Sequence, residues 1–85
     1  SKKIISQPRP RYPQEAKDQR IQGMVRMQAV ISADGRVAEL TVYSGDPILA
    51  AAATEAVRKW RYQPTLLNGR PVEVVTTIDV IFTLR

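Results

Sequence analysis

The sequence predicts an α+β domain in which two helices pack on one face of a three-stranded antiparallel sheet, in the order α-β-β-α-β. Three observations predict it. Residues 24–31 and 37–44 alternate apolar and polar on either side of an Asp34-Gly35 turn, the pattern of a β-hairpin. Leu49, Ala53, Ala56 and Trp60 recur at helical spacing in the alanine-rich run after Asp46-Pro47. Residues 73–84 then form the longest alternation in the chain. Helix-forming residues between the second and third strands can return the chain to either side of the hairpin, and covering one face of the sheet is the simplest compact solution.

The elements follow in order. Residues 1–11, "SKKIISQPRPR", are basic, carry a Pro-x-Pro spacing and show no period, so they read as an extended linker end rather than packed structure. The domain proper is assigned to 12–85. Tyr12-Pro13 opens a helix over 13–20, with proline at its first position and an end near Gly23. In the hairpin, Val25, Met27, Ala29 and Ile31 share one face, and residues 37–44 return with Leu40 and Val42 together on one face. Asp46 caps a helix predicted over 47–60, with Pro47 at its first position. Four alanines at 50–53 keep that helix thin enough to lie close to a sheet, and Pro64 forces the chain out of it. Residues 67–71, "LNGRP", read as a loop. In the last strand Val74, Thr76, Ile78, Val80, Phe82 and Leu84 make a mostly apolar face.

Composition narrows the function. With 85 residues, 44% of them apolar and 25% charged, the chain is one small globular domain rather than a disordered segment. It opens on serine, so it is expected to be a processed product or an excised piece of a longer protein. No apolar run approaches the roughly 20 residues that cross a bilayer, so this piece reads as soluble. There is no cysteine and no histidine, which removes thiol nucleophiles, disulfides, the commonest metal ligand and the usual general base. The carboxylates have structural roles: Asp34 in a turn, Asp46 at a cap, Glu55 four residues before Lys59, and Glu15 and Asp18 near a helix start. Glu39, Glu73 and Asp79 fall on strand positions that face solvent. The chain is not expected to be an enzyme, and no cofactor or metal is expected. A net charge of +5 permits an anionic partner without choosing one.

The stretch "VRKWRYQP" at 57–64 invites a nucleic-acid reading, because arginine and aromatic rings stack on bases. That reading needs several exposed aromatics along one face, and here Trp60 falls on the helix stripe and Phe82 on the apolar strand face. Tyr62 is placed to cover the helix end while its hydroxyl stays wet. The stretch therefore reads as a structural latch, and no nucleic-acid partner is expected.

Tyr12-Pro13, the Asp34-Gly35-Arg36-Val37 turn, Trp60-Arg61-Tyr62-x-Pro64 and the final strand, in that order, closely resemble the C-terminal domain of TonB-type energy transducers over residues 12–82. The resemblance implies a periplasmic domain at the end of a long linker, anchored in the inner membrane by a helix outside this chain. It implies partners as well: the TonB box and plug of outer-membrane TonB-dependent transporters, and an inner-membrane proton-channel complex reached through the region upstream. The box would join the sheet as an added strand on the edge formed by 73–84, making Val75, Thr77, Ile78, Asp79, Val80, Ile81, Phe82 and Thr83 the candidate peptide-binding residues. Tyr12 would line the groove beside that strand. Arg9 and Arg11 stand where family members often carry Gln-Pro-x before Tyr-Pro; they are either solvated linker charges or contacts for acidic residues near the box. Within 74–84 there is neither proline nor lysine, the usual devices that blunt an edge, and Asp79 is the one charge. Such an edge serves a partner strand or self-association. The alternatives are therefore a homodimerising module or a cell-envelope scaffold that binds peptidoglycan through its basic surface.

Overall fold

The computed structural model describes residues 4–84. Its elements are β1 (Ile4–Ser6), α1 (Gln14–Asp18), β2 (Gly23–Ile31), β3 (Val37–Ser44), α2 (Pro47–Val57), β4 (Arg61–Tyr62), β5 (Thr65–Leu67), β6 (Arg70–Val72) and β7 (Val74–Phe82). The predicted sheet is present, antiparallel in the order β3-β2-β7, with both helices on one face. Val25, Met27, Ala29 and Ile31 of β2 are at most 2% exposed, and Ile78, Val80 and Phe82 of β7 are buried beside them. Leu49, Ala53 and Val57 of α2, with Ala16 of α1, close the core from above. Each large buried side chain contributes about 1.5–3 kcal/mol. In a domain of this size one such truncation consumes much of the total stability.

Both helices are shorter than predicted, and the reasons are local. Helix α1 ends because Arg20 adopts φ 55, which lets Ile21 N–H bond the Ala16 carbonyl at 2.8 Å and Arg20 N–H the Lys17 carbonyl at 3.1 Å. These two bonds are a Schellman ending with arginine in the position glycine normally takes, so Gly23 opens β2 instead. Helix α2 begins as predicted, with the Asp46 carboxylate accepting from Ile48 N–H at 2.8 Å and Pro47 at the first position. It stops at Val57 rather than at residue 60. Lys59 and Trp60 donate to carbonyls three residues back, which tightens the last turn and lets the chain leave. Pro64 therefore does not end the helix, since β4 lies between them.

Two small two-stranded sheets, β1-β4 and β5-β6, lie outside the predicted set. Residues 67–71 are not a simple loop: β5 and β6 pair through Asn68 and Gly69, whose φ values of 52 and 78 make a two-residue hairpin turn. The arm, extended as its prolines require, also pairs with the body through β1, where Ile4 lies opposite Tyr62 and Ser6 opposite Arg61. Residues 1–3 of the predicted arm, and Arg85, lie outside the described residues.

The segment 60–62 joins these parts. Trp60 and Tyr62 are buried in the core, while Arg61 between them is exposed and bonds the Trp60 carbonyl at 3.0 Å. On the side away from β1, Tyr62 N–H donates to the Gly35 carbonyl at 2.8 Å, and Arg36 bridges Arg61. Gly35 has φ 90, and a Cβ there would run into the Tyr62 carbonyl oxygen. Gly35→Ala should thus destabilise the domain by about 2–5 kcal/mol, from combined overpacking and backbone strain. Urea unfolding checks this, and a loss below about 0.5 kcal/mol would show that the turn and 60–62 can separate without cost.

Candidate functional site

Strand β7 is an edge of the main sheet, paired on one side only, to β2. Its register with β2 is unbroken from Gly23 opposite Phe82 to Ile31 opposite Val74. Straight pairing on one side leaves a regular row of backbone donors and acceptors on the other, which is the substrate for strand addition. The pleat divides the predicted binding residues into two groups. Ile78, Val80 and Phe82 are buried in the core, so they offer a partner backbone groups and not side chains. Val75, Thr77, Asp79 and Ile81 are exposed, with Val75 and Ile81 giving the outer face apolar character, and Thr83, also exposed, lies past the end of the strand.

Asp79, the one charge on the strand, is already occupied. Arg26 lies directly opposite it on β2, and the guanidinium grips the carboxylate with two bonds of 2.9 and 3.1 Å. That hydrogen bonding, aided by the guanidinium charge, holds the Asp79 carboxyl below the usual carboxylate range. A partner strand therefore meets an edge with little net charge.

Tyr12 joins β7 and the two arginines do not. The Tyr12 ring meets Phe82 edge-on, with centroids 5.4 Å apart and planes at 88°, and its hydroxyl donates to the Ile21 carbonyl. Tyr12 thus holds the start of α1 against the end of β7. Arg9 and Arg11 line a cleft of about 820 Å³ between the arm and the helices, with Ile48, Ala52 and Lys59 across it. No β7 residue lines that cleft, so the arginines and the strand edge are two separate surfaces.

Sequence reasoning missed a third feature. The Trp60 indole N–H donates to the Pro8 carbonyl at 2.9 Å, pinning the arm beyond β1. Ile4 and Gln7 of the arm, Trp60 and Tyr62, and residues 76–79 of β7 line one recess of about 360 Å³. The arm is thereby brought alongside the middle of the β7 edge. Burial pushes the Tyr62 hydroxyl above its ordinary pKa, in keeping with a ring embedded in the core. The signal available in sequence was slight, a β-branched pair at Ile4-Ile5 before a proline arm. Of the five aromatics only Tyr43 is exposed, and its hydroxyl bonds Gln28 at 2.6 Å. No stacking platform for bases is assembled among the described residues.

With this geometry the comparisons with known proteins agree. A family model described as the Gram-negative bacterial TonB protein C-terminal domain matches residues 8–84. The chain belongs to the TonB C-terminal domain family. It is 38% identical over 76 residues to Protein TonB of Klebsiella pneumoniae, covering 87% of this chain and 30% of that protein. Against Protein TonB of Vibrio cholerae serotype O1 it is 32% identical over 84 residues, 96% of this chain and 34% of the relative. The solution NMR structure of the Pseudomonas aeruginosa TonB CTD superposes with a TM-score of 0.82 at 27% identity, covering 98% of this chain and 86% of that one. The chain spans about a third of the length of the curated relatives it matches. The family is not one of enzymes.

Two outcomes follow from this geometry. Trp60→Phe keeps a ring in the core and removes the indole donor, so amides 4–6 should lose protection from hydrogen exchange while global stability falls by only about 1–2 kcal/mol. Unchanged protection at 4–6 would show that β1 pairing alone holds the arm. Asp79→Asn should lower stability at neutral pH. Because the folded pKa of Asp79 is depressed, its contribution is present above the unfolded value and disappears as pH falls through the folded one. The thermal midpoints of wild type and variant should accordingly converge as the pH falls below the ordinary carboxylate range.

Proposed function

We propose that the free edge of β7 receives an extended segment, the TonB box, from an outer-membrane transporter, and that the domain passes energy from an inner-membrane proton-channel complex to it. Membership of the family supports the partner class, and the unblunted, straight β7 edge supports the mode. In this reading the domain works in the periplasm, at the end of a longer chain that carries the membrane anchor. No helix among the described residues is long and apolar enough to cross a membrane. Backbone pairing would give sequence-tolerant affinity, which suits one domain serving several transporters, and side chains beside the edge would add selectivity. Tyr12 would set the end of the binding strip through its packing on Phe82. Arg9 and Arg11, facing the helical cleft, would act on parts of a transporter other than the added strand.

The same edge supports a second reading, since Val75 and Ile81 are exposed apolar residues on a strand free to pair with its own copy. An NMR titration of the labelled domain with peptides from the amino-terminal segments of candidate transporters separates the two. Strand addition should shift the amides of 74–82 and the ring protons of Tyr12. No shift with any peptide, together with dimer mass in light scattering, would reassign the edge to self-assembly.

A further inference from the structure

The recess between β7 and the arm has a geometry that backbone pairing alone does not require. A strand added to β7 places alternate side chains on opposite faces of the sheet. Those on the outer face sit beside Thr77, Asp79 and Ile81 and stay in water. Those on the helical face fall beside Thr76 and Ile78, where the recess opens over Trp60 and Tyr62 and is bounded by Ile4 and Gln7. Its volume of about 360 Å³ lies near the lower end of the range for ligand pockets.

We propose that this recess is a side-chain pocket for the added strand, with the amino-terminal arm as one wall, and that it selects an uncharged residue at a single position of the partner peptide. The proposal rests on strand addition at β7. The chemistry of the lining sets the preference. Among the described residues no lysine or arginine lines the recess, and Asp79, on its rim, turns its carboxylate to the outer face, where Arg26 holds it. An acidic side chain entering it would lose water with no cation among these lining residues to receive it, and a basic one would lose water and find no free carboxylate. Aromatic rings and Ile4 favour apolar atoms, while the Gln7 amide and Thr76 hydroxyl give a short polar group a partner. A small or branched uncharged residue meets all of these conditions.

The wall is a light one. Strand β1 has three residues, all exposed, and pairs at two positions with an irregularity between them. Among the described residues the arm is also tied by the bond from the Trp60 indole to the Pro8 carbonyl. The arm can thus shift by a small amount to fit its guest, and the indole N–H reports that shift directly.

The test takes the peptide that shifts β7 most strongly in the titration above and varies each position in turn to Ala, Val and Asp. At one helical-face position Asp should weaken binding by about tenfold relative to Val, and the same change at outer-face positions should matter much less. The Trp60 indole N–H resonance should move only with peptides that fill the pocket. Ile4→Ala with Gln7→Ala, both exposed and outside the core, should remove most of that discrimination while the β7 amides still shift. Normal shifts along β7 with equal tolerance of Asp at every position, or discrimination unchanged in the double variant, would overturn the pocket and leave strand addition standing. If no peptide shifts β7 at all, strand addition fails and the pocket falls with it.

Discussion

The structure depends on β2 being a strand paired on both sides and buried on one face. Its inner residues, Val25, Met27, Ala29 and Ile31, are the best-buried row in the molecule, and α2 lies across them. A three-stranded sheet has two edges, and they are not alike. The β3 side is broken by register shifts between Arg26 and Met27 and between Val30 and Ile31. Bulges twist a strand away from regular pairing, so β3 is a poor template for another chain. The β7 side has no such break. The edge best suited to accept a strand is therefore the one that pairs most regularly with β2, and the two properties have one cause.

The latch at 60–62 is held from several directions. Trp60 and Tyr62 point into the core, Gly35 meets the backbone on one side, and the arm pairs on the other. The cations around Trp60 are explained by this arrangement without any nucleic acid. Arg58 and Lys59 follow the end of α2, where the helix dipole favours positive charge. Arg61 and Arg36 face one another as like charges, but Arg36 is paired with Asp34 at 3.3 Å and Arg61 bonds a backbone carbonyl. The latch brings the start of the domain to the middle of its last strand. This is why the extended arm lies beside the edge of β7.

Legibility differed by element. The hairpin, the Asp46 cap and the two faces of β7 were readable because each is set within a few residues by alternation or by a cap whose partner is two residues away. The β5–β6 hairpin was also local, and Asn68-Gly69 announces it, yet the short flanking runs and Pro71 made the stretch resemble a loop. The end of α1 was misplaced because arginine, not glycine, took the left-handed position. The strand of the candidate site was legible, and the recess that the arm makes beside it was not.

By itself the sequence determined the α+β class, the order of the main elements, and the buried and exposed faces of β2 and β7, but not those of β3, whose Val42 is exposed. Those properties are written in period and local chemistry, which act over a few residues. Tertiary structure alone decided that β7 lies beside β2 and so forms an edge, that Arg26 neutralises Asp79, and that Arg9 and Arg11 face the helices. It also decided that Pro8 receives the Trp60 indole, a contact spanning 52 positions of sequence. No periodicity encodes such a pair, because what brings its members together is the packing of the whole core between them.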